Sequence, residues 1–245
     1  MTLTRWVWLA GLVLGQAAAA LGGDDLETVE KKIAEAWNKH RSISAKVALV
    51  NRILLMGENR ESTGSGTYEF IKDGDRLRSR LELKSKMTHK VGEEERVIEQ
   101  QMTMVSDGET AQTLYEAFGK KQVFKTKVEP YLTGEPKARL EQLRKVNDLK
   151  LLPEDTVDGR KVYVIEATPK LPPQQATPDK SMRQQIYFDQ ETGFLVKLVG
   201  LDAEGKPITT MTYSEIKIDV PIDPDRFRLK IPEDAEVVDE DTPLP

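Results

Sequence analysis

Apolar positions in the last third of the chain recur in short runs separated by turn signals. Gln185-Ile186-Tyr187-Phe188 is followed by Glu191-Thr192-Gly193 and then by Phe194-Leu195-Val196-Lys197-Leu198-Val199. Glu204-Gly205 comes next, before the stretch from Pro207 to Ile218. This spacing predicts an antiparallel meander between about Arg183 and Pro232, with glycine supplying the positive φ of the tight connections. At the other end the period changes. Leu26, Val29, Ile33, Trp37 and His40 recur at helical spacing behind Asp24 and Asp25, either of which can cap the first turn. They predict an amphipathic helix ending near Ser42.

Between these segments the alternation is that of strands. Ala45 to Met56 and Gly66 to Lys72 read as two strands around a polar loop, Glu58 to Ser65. Asp73-Gly74-Asp75 turns the chain into Arg76 to Met87, where Leu77, Leu81 and Leu83 are spaced by charged residues. After the acidic break Gly92-Glu93-Glu94-Glu95 come Val97 to Val105, the turn Ser106-Asp107-Gly108, Glu109 to Tyr115, and Gln122 to Val128. Pro136 suits the first position of a second helix reaching Asn147, with Leu140, Leu143 and Val146 as its stripe. Val162 to Ala167 follows the turn Asp158-Gly159, and Leu171 to Ser181, with its prolines, reads as a loop. The fold class expected is α+β: a curved antiparallel sheet of ten or eleven strands, an incomplete β-barrel, covered on its concave face by helices.

Composition narrows the chemistry. The chain has 245 residues, is 31% charged with a net charge of −5, and its two signs are interspersed. No basic footprint for nucleic acid is present. There is no cysteine, which excludes a disulfide framework, a thiolate metal site and a cysteine nucleophile. The first 20 residues carry Arg5, an apolar stretch from Trp6 to Gly15 and the small residues Ala18-Ala19-Ala20. They read as a cleavable export signal with cleavage near Ala20, giving a periplasmic or secreted product. Residues 21–232 are expected as one domain, and 233–245 as an acidic tail that frays.

Catalytic and metal motifs are not found. His40 and His89 have no partner at metal-ligand spacing, and Glu93 to Glu95 lacks the alternation of a calcium loop. Gly64-Ser65-Gly66 is not followed by the lysine and helix of a phosphate loop, and Asp223 and Asp225 read as a turn. No cofactor is expected, and the chain reads as a binder rather than an enzyme.

Four stretches resemble the LolA/LolB-like superfamily of periplasmic lipoprotein carriers, to which outer-membrane lipoprotein-sorting proteins belong. They are the helix before the first strand; Tyr68-Glu69-Phe70-Ile71-Lys72 turning into Arg76-Leu77-Arg78; Val105-Ser106-Asp107-Gly108-Glu109-Thr110 leading to Leu114-Tyr115; and the closing set. That set comprises Tyr187-Phe188-Asp189, Thr192-Gly193, Asp202, Gly205, Thr212-Tyr213, Ile216, Ile222-Asp223, Phe227 and Ile231-Pro232. Two departures stand out. Ala111-Gln112-Thr113 lacks the family's tryptophan, and Asp73 stands near the place of the lid arginine, so no lid latch is carried over.

The resemblance implies a hydrophobic cavity for lipid or lipoprotein acyl chains, in trafficking to the outer membrane. Inner- and outer-membrane lipoprotein-sorting components are the implied protein partners. The alternative on the same fold is an envelope-stress sensor or regulatory domain that binds a partner protein. Wall residues expected for the cavity are Leu81, Leu83, Met102, Met104, Leu114, Phe118, Phe124, Tyr131, Leu132, Leu140 and Leu143. The plainer reading of the same side chains is that they fill a core. Met102 and Met104 share a face at period two, as do Leu81 and Leu83. Tyr115 to Leu132, with aromatics among Gly119 and Pro130, is the expected mobile cover.

Overall fold

The computed structural model describes residues 24–55, 58–74, 76–91, 94–128, 135–170 and 183–238. The expected export signal, the expected loop from Leu171 to Ser181, and Tyr131 and Leu132 of the expected cover lie outside these residues.

Helix α1, Leu26–Asn38, starts where its cap requires. The Asp25 carboxylate accepts the Thr28 N–H at 2.7 Å. Its buried stripe is Val29, Ile33, Ala36 and Trp37. Strands β1 (Ser42–Leu55), β2 (Glu58–Asp73), β3 (Arg76–Val91), β4 (Glu94–Ser106), β5 (Thr110–Ala117) and β6 (Lys120–Lys127) then follow. Helix α2, Pro136–Val146, precedes β7 (Asn147–Val157), β8 (Arg160–Pro169), β9 (Arg183–Asp189), β10 (Leu195–Leu201) and β11 (Pro207–Ile218). A 3₁₀ turn, Pro224–Phe227, and β12, Glu236–Val238, close the described chain.

The twelve strands among the described residues form one open sheet in the order β12-β6-β5-β4-β3-β2-β1-β11-β10-β9-β8-β7. The first and last long strands of the sequence meet at its centre, where β1 pairs with β11. Every pairing is antiparallel except that of β12 with β6. The sheet is unclosed and carries the two described helices against one face.

Two sequence expectations are corrected, and one strand is new. The polar stretch Glu58 to Ser65 is strand, not loop, because β1 and β3 supply backbone partners on both sides. Strand β7 has no clear signal in the sequence: Leu149, Leu151 and Leu152 are diluted by Pro153 and charged residues, and pairing with β8 together with packing on the two apolar clusters holds them. The chain after 233 does not fray at once, since Glu236–Val238 adds to the β6 edge and Lys121 holds Asp234 at 2.9 Å.

Two apolar clusters meet at the helices. Val29 and Ile33 of α1 and Leu140 of α2 pack on Tyr163, Ile165, Ile186 and Phe188, which defines the inner face of the sheet. Trp37 packs on Ile43, Ala45, Tyr68 and Phe70 of β1 and β2. The end of α1 is tied to the end of β11 through Asp219. Its carboxylate accepts the Arg41 N–H at 2.6 Å and stands 3.0 Å from His40 Nδ1.

Those bonds, the Arg41 N–H first, hold the Asp219 carboxyl below its usual range. A depressed carboxyl stabilises the fold above the unfolded-state value near 3.9 and loses that contribution as pH falls through the folded value. Urea midpoints measured between about pH 5 and pH 3 are therefore expected to fall less in Asp219→Asn than in the unaltered chain. Parallel curves would remove Asp219 from the acid response.

Candidate functional site

Strand register decides which of the expected wall residues share a face. Tyr68 stands opposite Leu81, Leu81 opposite Met104, Met104 opposite Thr113, and Thr113 opposite Phe124. The adjacent row runs Gly66, Leu83, Met102, Tyr115 and Gln122. Directly opposed residues point to the same side of a sheet. Leu81, Leu83, Met102, Met104 and Phe124 therefore lie together on the inner face, the two leucines buried and the others half-buried.

The other described residues of the expected wall lie elsewhere. Leu114 is opposite Thr103 and Val123, so it points to the outer face, on which Val105 and Val123 are also buried. Its strand parity is one position off that of the methionines. Phe118 is at the β5–β6 hairpin tip, 74% exposed and at φ 54°, bordering a different hollow. Leu140 and Leu143 belong to the helix-side cluster with Val29 and Ile33.

Between the methionine rows and the helices stands a nest of aromatic rings. Trp37 and Phe70 have centroids 4.8 Å apart, Tyr68 and Phe194 5.7 Å, and Phe194 and Tyr213 5.1 Å. Burial pushes the Tyr68 and Tyr213 hydroxyls well above the usual phenol range. Arg139 of α2 lies within electrostatic reach of both phenols; burial lowers its pKa, and the two tyrosines oppose that change. A guanidinium remains charged through such a change. It brings a cation to the inner face. Tyr68 and Tyr213 carry part of the family resemblance in the sequence, whereas nothing around Arg139 distinguishes it from the other basic residues of α2.

Hollows of about 790, 530 and 290 Å³ open elsewhere. The first is lined by Ser65, Lys84, Lys86, Gln101, Glu116 and their neighbours, the second by Lys39, Arg41, Lys72, Asp219 and others. Neither Met102 nor Met104 borders any of the three. The methionine rows thus form an apolar strip apart from these three hollows. Among the described residues no cluster of three His, Asp or Glu side chains is placed to hold a metal ion.

No protein-family profile matches the chain, and no curated protein sequence matches it. Solved structures do. An uncharacterised conserved protein from Thermus thermophilus is 13% identical with a TM-score of 0.50, covering 86% of this chain and 98% of its own. MucB in the Pseudomonas aeruginosa MucA/MucB complex is 19% identical with a TM-score of 0.48, covering 82% of this chain. This chain spans only 59% of that protein's length. A LolA superfamily protein from Nitrosomonas europaea is 12% identical with a TM-score of 0.32, over 85% of this chain and 99% of its own. The likeness to the Thermus protein is one of fold.

Proposed function

We propose that this chain is an exported, non-catalytic binding protein that shelters an acyl chain of a lipid or lipoprotein against the inner face of its sheet, in trafficking toward the outer membrane. The observation that carries the reading is the strip itself: Met102 and Met104 are half-buried, flanked by Leu81, Leu83 and Phe124 on one face. Helix α2 meanwhile packs on α1, β7 and β8. Thioether side chains have the torsional freedom to repack around a guest. Each methylene taken from water contributes roughly 0.8 kcal/mol, so a dozen give on the order of 10 kcal/mol before ordering costs. Binding then draws on the strip rather than on the three hollows.

Two measurements test this. Organic extraction of the purified chain followed by mass spectrometry is expected to recover co-purified lipid. Met104→Arg is expected to retain the far-ultraviolet circular dichroism of the unaltered chain and to lose uptake of an apolar fluorophore at least about tenfold, because a guanidinium in the strip must be desolvated. Gln101→Arg, on the opposite face of the same strand, is the control and is expected to change nothing. An unfolded Met104→Arg would make Met104 a core residue. An empty chain that excludes the dye would leave the regulatory-domain reading, with a protein as the ligand.

A further inference from the structure

The outer face holds a second feature that the acyl-chain reading does not use. Arg76, Arg78 and Arg80 alternate along β3 and so project from one side of it, opposite to Leu77, Ser79 and Leu81. The C-terminal segment crosses this side. Asp223 accepts the Asp225 N–H at 2.9 Å to start the 3₁₀ turn, and Phe227, 2% exposed, seats the turn against β3. Arg226 and Arg228 arrive with it. Five guanidinium groups from two distant parts of the chain thereby gather on one patch.

These five do not play one part. Arg80 and Arg226 are consumed by structure: Arg80 pairs with Glu82 at 2.5 Å and donates to the Arg226 carbonyl at 3.0 Å, and Arg226 pairs with Glu69 at 2.8 Å. Arg76, Arg78 and Arg228 instead line the hollow of about 290 Å³, together with Gln112. Among the described residues each pairs with one carboxylate: Glu109 at 2.6 Å from Arg76, Asp73 at 2.7 Å from Arg78, Asp225 at 3.5 Å from Arg228. One carboxylate does not satisfy a guanidinium with five N–H groups. Arg78 Nε is buried with no hydrogen-bond partner among the described residues. Asp107 also borders the hollow, but its oxygens are taken up by the Glu109 and Thr110 N–H groups at 2.9 and 2.8 Å and by the Thr110 hydroxyl at 3.3 Å.

We propose that Arg76, Arg78 and Arg228 form a site for a phosphate monoester, either on a small molecule or on a lipid headgroup. A carboxylate fills one guanidinium fork, whereas a tetrahedral dianion presents enough oxygens for three forks at once. The hollow lies at the small end of ligand pockets, sized for a phosphoryl group and a short attachment. Its place on the outer face makes it independent of the methionine strip.

The test uses inorganic phosphate and the purified chain at low ionic strength, read by calorimetry and by broadening of the phosphorus resonance. Saturable binding is expected, weakening as salt is added. The double variant Arg76→Gln/Arg228→Gln changes two exposed side chains, so its circular dichroism should be unchanged while affinity drops about tenfold or more, as expected for losing charge-assisted hydrogen bonds. Lys84→Gln/Lys120→Gln removes the same charge elsewhere and should leave affinity intact. Phosphatidylcholine vesicles with and without phosphatidic acid separate the sources. Co-sedimentation only with phosphatidic acid, competed by phosphate, assigns a headgroup; phosphate binding without vesicle binding assigns a soluble phosphomonoester. No saturable phosphate binding, or equal weakening by the lysine and arginine pairs, overturns the site.

Discussion

Replacing Gly193 with alanine is expected to destabilise the protein by about 3–5 kcal/mol and to lower its melting temperature by about 10 °C. Two costs add. Gly193 sits at φ +67°, where an L side chain is strained. A methyl group there would also come within 2.2 Å of the Ile33 carbonyl and 2.7 Å of the Trp37 nitrogen, both backbone atoms of α1. The β9–β10 turn is thus the surface on which α1 lands, and alanine would lift the helix from it. Gly159 isolates the first cost, since it has φ +77° with nothing near its hypothetical methyl group. Gly159→Ala should therefore cost only about 1–2 kcal/mol. Similar melting curves for the two variants would mean that the turn does not position α1.

Trp37→Ala is expected to cost about 3–5 kcal/mol in urea unfolding, the usual range for deleting a large buried aromatic side chain. Trp37 is 2% exposed and contacts both Phe70 and Phe194, so its loss leaves a void where α1, β2 and the β9–β10 turn converge. The conservative variant separates packing from polarity. Trp37 Nε1 is buried without an acceptor among the described residues, a penalty that phenylalanine removes. The Lys72 ammonium 5.2 Å from the ring centre offsets part of it by a cation–π contact. Trp37→Phe should consequently lose far less stability than Trp37→Ala. Equal losses would show that ring volume is not what the site requires.

Much of the element order is legible from local chemistry. The α1 stripe, Pro136 at the head of α2, and the turns at Asp107-Gly108 and Asp158-Gly159 all sit where period and turn chemistry place them. Misreadings occur where a segment's partners, not its own pattern, make it a strand. Residues 58–65 are too polar to signal a strand, yet lie between β1 and β3 near the middle of the sheet. Gly66, inside β2, gives the reason for glycine there: a methyl group would meet the Glu82 carbonyl at 1.7 Å.

The candidate site divides in the same way. Period two places Met102 with Met104 and Leu81 with Leu83, because parity within a strand is fixed by the backbone. Parity between strands is not. Whether Leu114 joins Met102 depends on β5 meeting β4 with Tyr115, not Leu114, opposite Met102.

What the amino-acid sequence determined by itself is local: where the chain turns, which side chains alternate, where helices begin. Those features follow from sterics and hydrogen bonding over a few neighbouring residues. Tertiary structure alone decided which face the helices cover and which partners each strand meets. It also brought Arg228 from the C-terminal segment beside Arg76 and Arg78 of β3. Such contacts join residues about 150 positions apart in the chain. They depend on sheet register and on the burial of Phe227, neither of which any short stretch of sequence encodes.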